Sequence, residues 1–562
     1  MRRMGAGPGE EPGCLAFPDD FAFSRNWVVF EDVHFIVINK PSGLPTIDAE
    51  PESQVALVPK LFTHLGRSEH LPVLSRLDRE ASGLIAFPIS REALLAMEAA
   101  QRDGRLRKRY VAGVRWPSHP PKEGWLRDRI EYHKGQARIS ESGKEALSKF
   151  KCLRSRGSKA LVELELVTGR THQIRLQLAH RGAPIAGDRL YGGDLAPRLL
   201  LCCIGITLPH PERGELDIEI AIPSCFEKWF DETLHQKEGF ALSWESALRY
   251  REEFFERGKR GATTAFRLFN EEGDGYPGVA VDLYGEHLVL HLREQPLEEK
   301  ELIDVLSSVQ PKGIYVKRHP KSGSKFELEH VAPCNPIWGD PAPSPLVIRE
   351  NGIPFFVHLD QGLATGIYLD QRENRRRLRE GAENQRLLNL FAYRCGFTVA
   401  AAVGGARETL SVDLSRQALD WGEANLERAA REHPHIRKGK HRFVCGDVFE
   451  VLSKLKKEKE LFDWICVDPP TFSRGPSGHW TSGKAWVDLF AEVLGLLDEG
   501  GRVLATSNDR RMAQATFRRF AQEGAKRAQR AIARMKDLEP PRDFRAFPAH
   551  AHAQKGLLIE CE

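Results

Sequence analysis

The segment Arg76-Leu77-Asp78-Arg79-Glu80-Ala81-Ser82-Gly83 sets one carboxylate between two guanidinium groups and closes on a glycine. An aspartate of this kind, provided it is held ionised, can act as nucleophile or as electrostatic partner. Some ninety residues on, Thr168-Gly169-Arg170-Thr171-His172-Gln173-Ile174-Arg175 offers further cations, and Lys108-Arg109-Tyr110 adds a phenol. A different chemistry is written downstream. Leu387 to Tyr393 reads as a strand and its loop, followed by Gly404-Gly405-Ala406 and by the acidic strand end Val412-Asp413. A carboxylate ~20 residues after a first strand's loop is placed to accept from the ribose hydroxyls of a nucleotide-like cofactor. No G-x-G-x-x-G follows that strand, which argues against a dinucleotide. Asp447, in Cys445-Gly446-Asp447, can face an adenine edge, and Asp468-Pro469-Pro470-Thr471-Phe472 ends a fourth strand, where ligands bind in open α/β folds.

A chain of 562 residues needs more than one core to hold these groups. Residues 1 to 25 are rich in glycine and proline and read as a disordered tail. From 26 to 225 short strands dominate, beginning at Trp27 to Phe30 and Phe35 to Asn39. A charged helical stretch within 226 to 261 reads as a connector, and a small α/β segment of RNA-binding type spans 262 to 345. From 346 to 562 strands alternate with helices: Leu387 to Phe391, Thr409 to Val412, Phe462 to Val467 and Arg502 to Ser507, with helices at Ser415 to Arg428 and Asp488 to Leu497. Such alternation predicts a parallel sheet covered by helices.

With 82 basic and 78 acidic side chains the net charge is +4, so any nucleic-acid contact must come from local patches. Three basic runs qualify, at Arg102 to Arg109, Arg375 to Arg377 and Arg437 to Arg442, each also readable as a solvated charged face. The ten cysteines form no C-x-x-C pair and no zinc spacing, so no metal is expected and a reduced, cytoplasmic setting is. No run approaches the ~20 apolar residues that would span a bilayer, and no membrane partner is expected.

The first two clusters resemble the RluA-type RNA pseudouridine synthases, whose motifs read close to HRLDRxTSG and TGRTHQIR, and the likeness runs over residues 26 to 225. The resemblance implies a largely antiparallel α+β domain that isomerises uridine to pseudouridine in RNA without a cofactor. It makes Asp78 the catalytic carboxylate, pairs it with Arg175, and puts Tyr110, in RKRYVAGV, against the flipped uracil. Arg76, Arg79, Arg170 and His172 are the implied substrate contacts. The turn Gly187-Asp188-Arg189-Leu190-Tyr191-Gly192 matches the family's GDxxYG pattern and is expected only to pack. Ser75 and Ala81 stand where the family often has His and Thr.

The C-terminal blocks GGARETLSVDLSRQALDWGEANL, DPPTFS and TSNDR, with TGIYLDQRENRRRL ahead of them, resemble the class I S-adenosylmethionine-dependent rRNA methyltransferases. The guanine-N7 domain of the large-subunit enzymes is the nearest likeness, over residues 245 to 562. The resemblance implies a Rossmann-like doubly wound α/β domain that binds S-adenosylmethionine. Asp370, Asn389, Phe391, Tyr393, Asp413, Asp447 and Asp468 are its implied contacts, Asp468 being catalytic as well. Pro469, Pro470, Phe472 and Asn508 would hold the base. Where the family has Tyr-Thr-Gly, this chain reads Tyr393-Arg394-Cys395-Gly396, which moves the glycine and adds bulk near the methionine moiety.

Methylating carbon 5 of a pyrimidine needs a thiolate to attack carbon 6 first. Thr471, Phe472, Ser507 and Asn508 stand where 5-methylcytidine enzymes carry that thiol, and Cys466 lies on a strand expected to be buried. A methylated purine nitrogen is therefore expected, N7 of guanine by resemblance, with 5-methylcytidine as the alternative. The whole chain reads as a bifunctional enzyme acting on RNA, ribosomal RNA by resemblance. Against it stands an RNA-binding or ribosome-assembly factor with an inactive site; a protein substrate for the methyl group is disfavoured by the neighbouring RNA enzyme. No motif of either site crosses residues 225 to 260, so the two chemistries are expected to be independent. The oligomeric state is left open, a monomer being compatible with the sequence.

Overall fold

A computed structural model describes residues 14–18, 23–47, 55–66, 73–118, 120–133, 136–259, 261–293, 297–319, 328–475, 478–548, 552 and 554–562. The N-terminal sheet has ten strands: β1 (Val28–Glu31), β2 (Phe35–Lys40), β3 (Ser82–Pro88), β4 (Arg107–Arg115), β5 (Glu123–His133), β6 (Gln136–Ile139), β7 (Lys144–Arg156), β8 (Lys159–Leu166), β9 (Leu201–His210) and β10 (Gly214–Glu219). Their order is β1-β2-β3-β9-β4-β8-β7-β5-β6, with β10 also on β9, and only β3 and β9 run parallel. The register brings Ser82-Gly83 beside Cys202-Cys203. Gly83 has φ +106, and a Cβ there would lie 2.2 Å from the Cys203 carbonyl oxygen, so no other residue lets the Asp78 loop enter the sheet this closely.

Strands β11 (Ala265–Asn270), β12 (Val279–Tyr284), β13 (His287–Leu292), β14 (Gly313–Arg318) and β15 (Trp338–Gly339) form a second, mixed sheet in sequence order. Its core corrects two expectations. Leu15 and Phe17, assigned to a disordered tail, are buried in it, with Leu15 N donating to Gly285 O and Phe17 edge-on to Phe255 at 5.5 Å. The stretch expected to be a connector contains the helices Ser224–Asp231, Gln236–Tyr250 and Glu252–Lys259, and the second of these buries Phe240, Trp244, Ala247 and Leu248 in the same core. A side chain in a shared core fixes its helix far more firmly than a linker is fixed.

After a hairpin, β16 (Leu346–Glu350) and β17 (Ile353–Val357), comes a seven-stranded sheet: β18 (Arg386–Leu390), β19 (Glu408–Asp413), β20 (Lys440–Cys445), β21 (Phe462–Val467), β24 (Leu497–Ser507), β25 (Ile532–Asp537) and β26 (Lys555–Cys561); β22 (Phe472–Gly475) and β23 (Gly478–Thr481) form a separate hairpin. The order is β20-β19-β18-β21-β24-β26-β25, parallel up to β24 and closed by two antiparallel strands. Strand order reverses between β18 and β21, the place where a doubly wound sheet opens a crevice at its carboxyl ends. Among the described residues no helix is long and apolar enough to cross a membrane.

Candidate active sites

Asp78 sits on the loop before β3, where its carbonyl accepts from Ala81 N at 3.2 Å. The loop is pinned from below by Lys40, fully buried, whose Nζ donates to the carbonyls of Pro41, Leu44 and Arg79. Burial lowers the Lys40 ammonium to about 7, against the pull of Glu80 and Asp78. Opposite stands Arg175, in the first turn of the helix Gln173–His180 and 2% exposed. Its Nη1 donates to Asp78 Oδ2 at 3.1 Å, and its Nε and Nη2 hold both oxygens of Asp188 at 2.8 and 2.9 Å. Burial opposes the Arg175 charge, but the Asp188 hydrogen bonds and the charges of Asp188, Glu80 and Asp78 outweigh it and raise its pKa. A buried bidentate pair fixes the guanidinium plane, and so the nitrogen offered to Asp78.

The turn expected only to pack therefore belongs to the site. Asp188 Oδ1 also accepts from Leu190 N and Tyr191 N, and Tyr191 Oη meets His172 Nδ1 at 2.8 Å, with His172 Nε2 3.9 Å from Asp78 Oδ2. Burial lowers the His172 pKa despite that carboxylate, which favours the neutral imidazole. Gln173 ties down the preceding loop by accepting from Thr168 Oγ1 and Arg170 N. Asp78, Tyr110, Arg175, His172, Arg170 and Arg76 line one cavity of about 900 Å³. Tyr110 is buried on β4, and burial raises its pKa well above the ordinary value, so it keeps its proton. Arg76 is exposed at the rim. Arg79 lines the same cavity, yet its guanidinium lies 4.9 Å from the Tyr250 ring on the helix Gln236–Tyr250, so it is a docking contact as much as a substrate contact.

The second site opens at the carboxyl ends of β18, β19 and β21, around a cavity of about 500 Å³, within the range of small-molecule sites. Asp413 ends β19 and accepts from Tyr393 N and Ser415 N, both at 2.8 Å. The loop it holds runs through three left-handed residues, Phe391, Tyr393 and Cys395, with φ of +56, +46 and +59. Asp447 caps the helix Val448–Glu458 by accepting from Phe449 N at 2.9 Å. Asp468 accepts from Thr506 Oγ1 at 2.5 Å and from Gln371 Nε2 at 3.2 Å, and burial raises its pKa against both bonds. Phe391, Tyr393, Asp413, Asp447, Asp468, Pro469, Pro470 and Asn508 all line this cavity.

Three expectations fail here. Asn389 does not face the cavity: it is buried on β18, where its Nδ2 donates to Thr398 Oγ1 at 3.0 Å and ties strand to helix. Asp370 is not in the lining either; it stands behind Asp468, where burial and then the Asp468 charge push its carboxyl up to about 6. The displaced glycine adds no bulk to the cavity. Cys395 is buried towards the helix Arg416–Glu432, where Gly422 makes room: a Cβ there would lie 2.4 Å from Cys395 Sγ. Arg394 turns to His358 Nδ1 at 2.7 Å, and Gly396 faces the cavity. Phe472 opens β22, with its side chain outside the described residues.

Of the basic runs, Arg375 is buried and paired through both Nε and Nη2 with Glu350 at 2.7 Å, and Arg376 is taken by Glu373 and Glu380. Arg437 pairs with Glu427, and Arg442 with Glu408 and Glu460. Paired cations attract phosphates weakly, so Arg375, Arg376, Arg437 and Arg442 serve first as partners of these acids. Lys108 and Arg170 instead line the first cavity. Sequence reasoning missed Glu80 and Asp188 as site residues; the signal was an acid placed beside each motif's arginine.

The lining of the second cavity suits S-adenosylmethionine: a carboxylate at a strand end to accept from a ribose, aromatic and aliphatic walls at Phe391, Leu414, Val448 and Phe449 for a base, and a side-chain-free Gly396. Comparison with known proteins agrees. Residues 34–180 match the family of RNA pseudouridylate synthases, and residues 282–559 that of S-adenosylmethionine-dependent methyltransferases. "Ribosomal RNA large subunit methyltransferase I" of Cronobacter sakazakii is 32% identical over 304 residues, covering 54% of this chain and 74% of that protein. The protein of the same name from Escherichia coli O127:H6 is 33% identical over 298 residues, covering 53% and 73%. The crystal structure of SMU.776 complexed with SAH shares 27% identity at a TM-score of 0.52, covering 64% of this chain and 88% of that one. The chain thus belongs to the S-adenosylmethionine-dependent methyltransferases and carries, ahead of that domain, a segment, residues 34–180, that matches the RNA pseudouridylate synthases.

Proposed function

We propose that one chain performs two modifications of large-subunit ribosomal RNA, isomerising a uridine to pseudouridine at Asp78 and methylating a purine nitrogen, guanine N7, beside Asp468. The supporting observation is that each domain keeps its charged machinery assembled around its own cavity. At the first site a flipped uridine would enter between Tyr110 and Asp78. The Asp78 carboxylate, oriented by Arg175, acts on the sugar–base unit while the C–N glycosidic bond breaks; the base turns and rejoins through carbon. Tyr110, holding its proton, packs against the ring, and Arg76 and Arg170 take flanking phosphates. At the second, Asp413 and Asp447 hold the ribose and adenine ends of S-adenosylmethionine, which supplies an electrophilic methyl group when bound. Asp468, Pro469, Pro470 and Asn508 position the acceptor base.

The choice of nitrogen rests on thiols. No cysteine lines the second cavity. Cys466 is fully buried on β21, and burial raises its pKa far above the range in which a thiolate forms. A ring nitrogen already carries a lone pair and needs only positioning. The relatives' name as rRNA methyltransferases supports ribosomal RNA as substrate, and a cytoplasmic setting follows from it. Nucleoside mass spectrometry of large-subunit RNA incubated with the chain and S-adenosylmethionine tests this: pseudouridine and a methylated purine are expected. Appearance of 5-methylcytidine, lost in Cys466→Ala or Cys445→Ala, would refute the choice of nitrogen.

A further inference from the structure

We infer that Arg545, which lies in the methyltransferase domain, is a positioning residue of the pseudouridine synthase site and acts through Glu80 on the Arg175–Asp78 pair. The inference rests on the reading of Asp78 given above. Glu80 stands two residues from Asp78 and pairs with two guanidinium groups, Arg175 Nη1 at 3.9 Å from its Oε2 and Arg545 Nη2 at 3.6 Å from its Oε1, while the Arg189 charge acts on it more weakly. Arg175 Nη1 is the same nitrogen that reaches Asp78 Oδ2 at 3.1 Å. Two carboxylates thus compete for one N–H group, and Arg545, which acts on Glu80 more strongly than Arg189 does, is the chief cation that occupies Glu80 and leaves that nitrogen to Asp78.

Arg545 is built in, not draped across. It is 8% exposed, lies 4.2 Å over the Tyr250 ring and binds Asp274 Oδ1 at 3.1 Å. Its backbone carbonyl accepts from Asn270 Nδ2 at 2.5 Å, and a Cβ on Gly273 would lie 2.0 Å from that oxygen. The next residue, Ala546, accepts through its carbonyl from Arg189 Nη1 at 3.3 Å, on the turn that carries Asp188. One short segment of the methyltransferase domain therefore touches both loops that aim Arg175. Without the Arg545 charge, Glu80 keeps Arg175 as its nearest partner and draws Nη1 off Asp78. A displacement of that order at a reacting group lowers turnover without touching substrate binding.

Full-length Arg545→Met should lower kcat for pseudouridine formation on large-subunit ribosomal RNA about tenfold, with KM within about twofold, since Arg545 does not line the cavity. Methyl transfer by the same preparation should persist and shows that the chain is folded. Arg545→Met/Glu80→Gln should return to the rate of Glu80→Gln alone, because the competing carboxylate is gone; a merely structural role predicts no such recovery. Should Arg545→Met lose methyl transfer as well, Arg545→Gln, which keeps a donor for Asp274, takes its place with the same outcomes. An unchanged kcat, or an equal fall in the presence of Glu80→Gln, overturns the inference. A wild-type chain that makes no pseudouridine would overturn the assignment of Asp78 itself, and this inference with it.

Discussion

Replacing Asp413 separates two duties that its carboxylate combines. It organises the chain's own loop by accepting from Tyr393 N and Ser415 N, each at 2.8 Å, and its charge faces the cavity where a ribose would sit. Left-handed residues of this kind cost about 1 to 3 kcal/mol each unless the surroundings hold them, and Phe391, Tyr393 and Cys395 are three in five positions. A hydrogen bond to a charged acceptor contributes roughly 1.5 to 3 kcal/mol, and each 1.4 kcal/mol is about tenfold in affinity. Asp413→Ala should therefore weaken S-adenosylmethionine roughly 10- to 150-fold. Asp413→Asn keeps an oxygen for Tyr393 N–H and loses the charge, so it should fall between, near tenfold. Calorimetric titration of the full-length variants reads both. Unchanged affinity in Asp413→Ala would refute the assignment outright, while wild-type affinity in Asp413→Asn would confine Asp413 to holding the loop.

Asp78→Asn should abolish pseudouridine and spare methyl transfer, and Asp468→Ala should do the reverse; loss of both products in a folded Asp78→Asn would refute the division of labour. Asp188→Ala leaves the fully buried Arg175 without its bidentate partner, a change that costs about 3 to 5 kcal/mol. Amide exchange along the helix Gln173–His180 should then quicken by about 100-fold or more, and unaltered protection would show the pair to be dispensable. Asp370, raised from 3.8 to about 6, favours its protonated form in the fold. Its contribution to stability is fully present below pH ~4 and is lost as pH rises through 6. Asp370→Asn should therefore melt progressively above wild type as pH rises from about 4 to about 6, with a constant gap at higher pH, and a gap that does not change between pH 4 and pH 6 would contradict this.

Much of the fold is legible in the sequence because the decisive signals are local. The apolar run Phe462 to Val467 becomes β21 with the same ends, and Thr409 to Val412 lengthens by one residue at each side to β19. Strand β24 begins at Leu497, five residues before the expected Arg502, because Leu497 pairs with Phe462 across an irregular, glycine-containing stretch that reads as a turn. The tail and the connector were misread for one physical reason. Leu15, Phe17, Phe240 and Trp244 are apolar residues set among charges and turn formers, and only a partner surface supplied by β11 to β14 makes their burial favourable. Period and propensity describe a segment; they do not describe what comes to lie against it.

The same distinction sorts the site residues. Asp78, Arg175, Asp413 and Asp468 sit in motifs whose neighbours in sequence are also their neighbours in space, and each lies in the expected cavity. Asn389 and Asp370 sit equally close to a motif but lie outside the cavity lining; for Asn389 strand alternation decides, since on β18 Leu388 and Leu390 share the core that Asn389 faces away from, while Asp370 lies in the short 3-10 turn Leu369–Gln371. The ionic bridge could not be read at all. Arg545 and Glu80 lie far apart in the chain with no motif around the arginine; Asp543 and Arg372, the latter within TGIYLDQRENRRRL, are also far apart and pair in the buried interior. Asp543 O also accepts from Arg251 Nη2 at 2.5 Å, and Arg251 holds Asp274, the partner of Arg545. Since Arg372 follows Gln371, the donor to Asp468, ion pairs joined by a backbone hydrogen bond at Asp543 and by the Gln371–Arg372 step link the surroundings of one carboxylate to those of the other. Independence of the two chemistries is inferred from motifs that stop short of residues 225 to 260, and the scaffold around the two sites is nevertheless shared. Buried charges of this kind are costly to leave unpaired. Separating the two halves at the helices between them would expose Glu80 on one side and Arg545 and Asp274 on the other, which gives the chain a physical reason to keep both domains in one molecule.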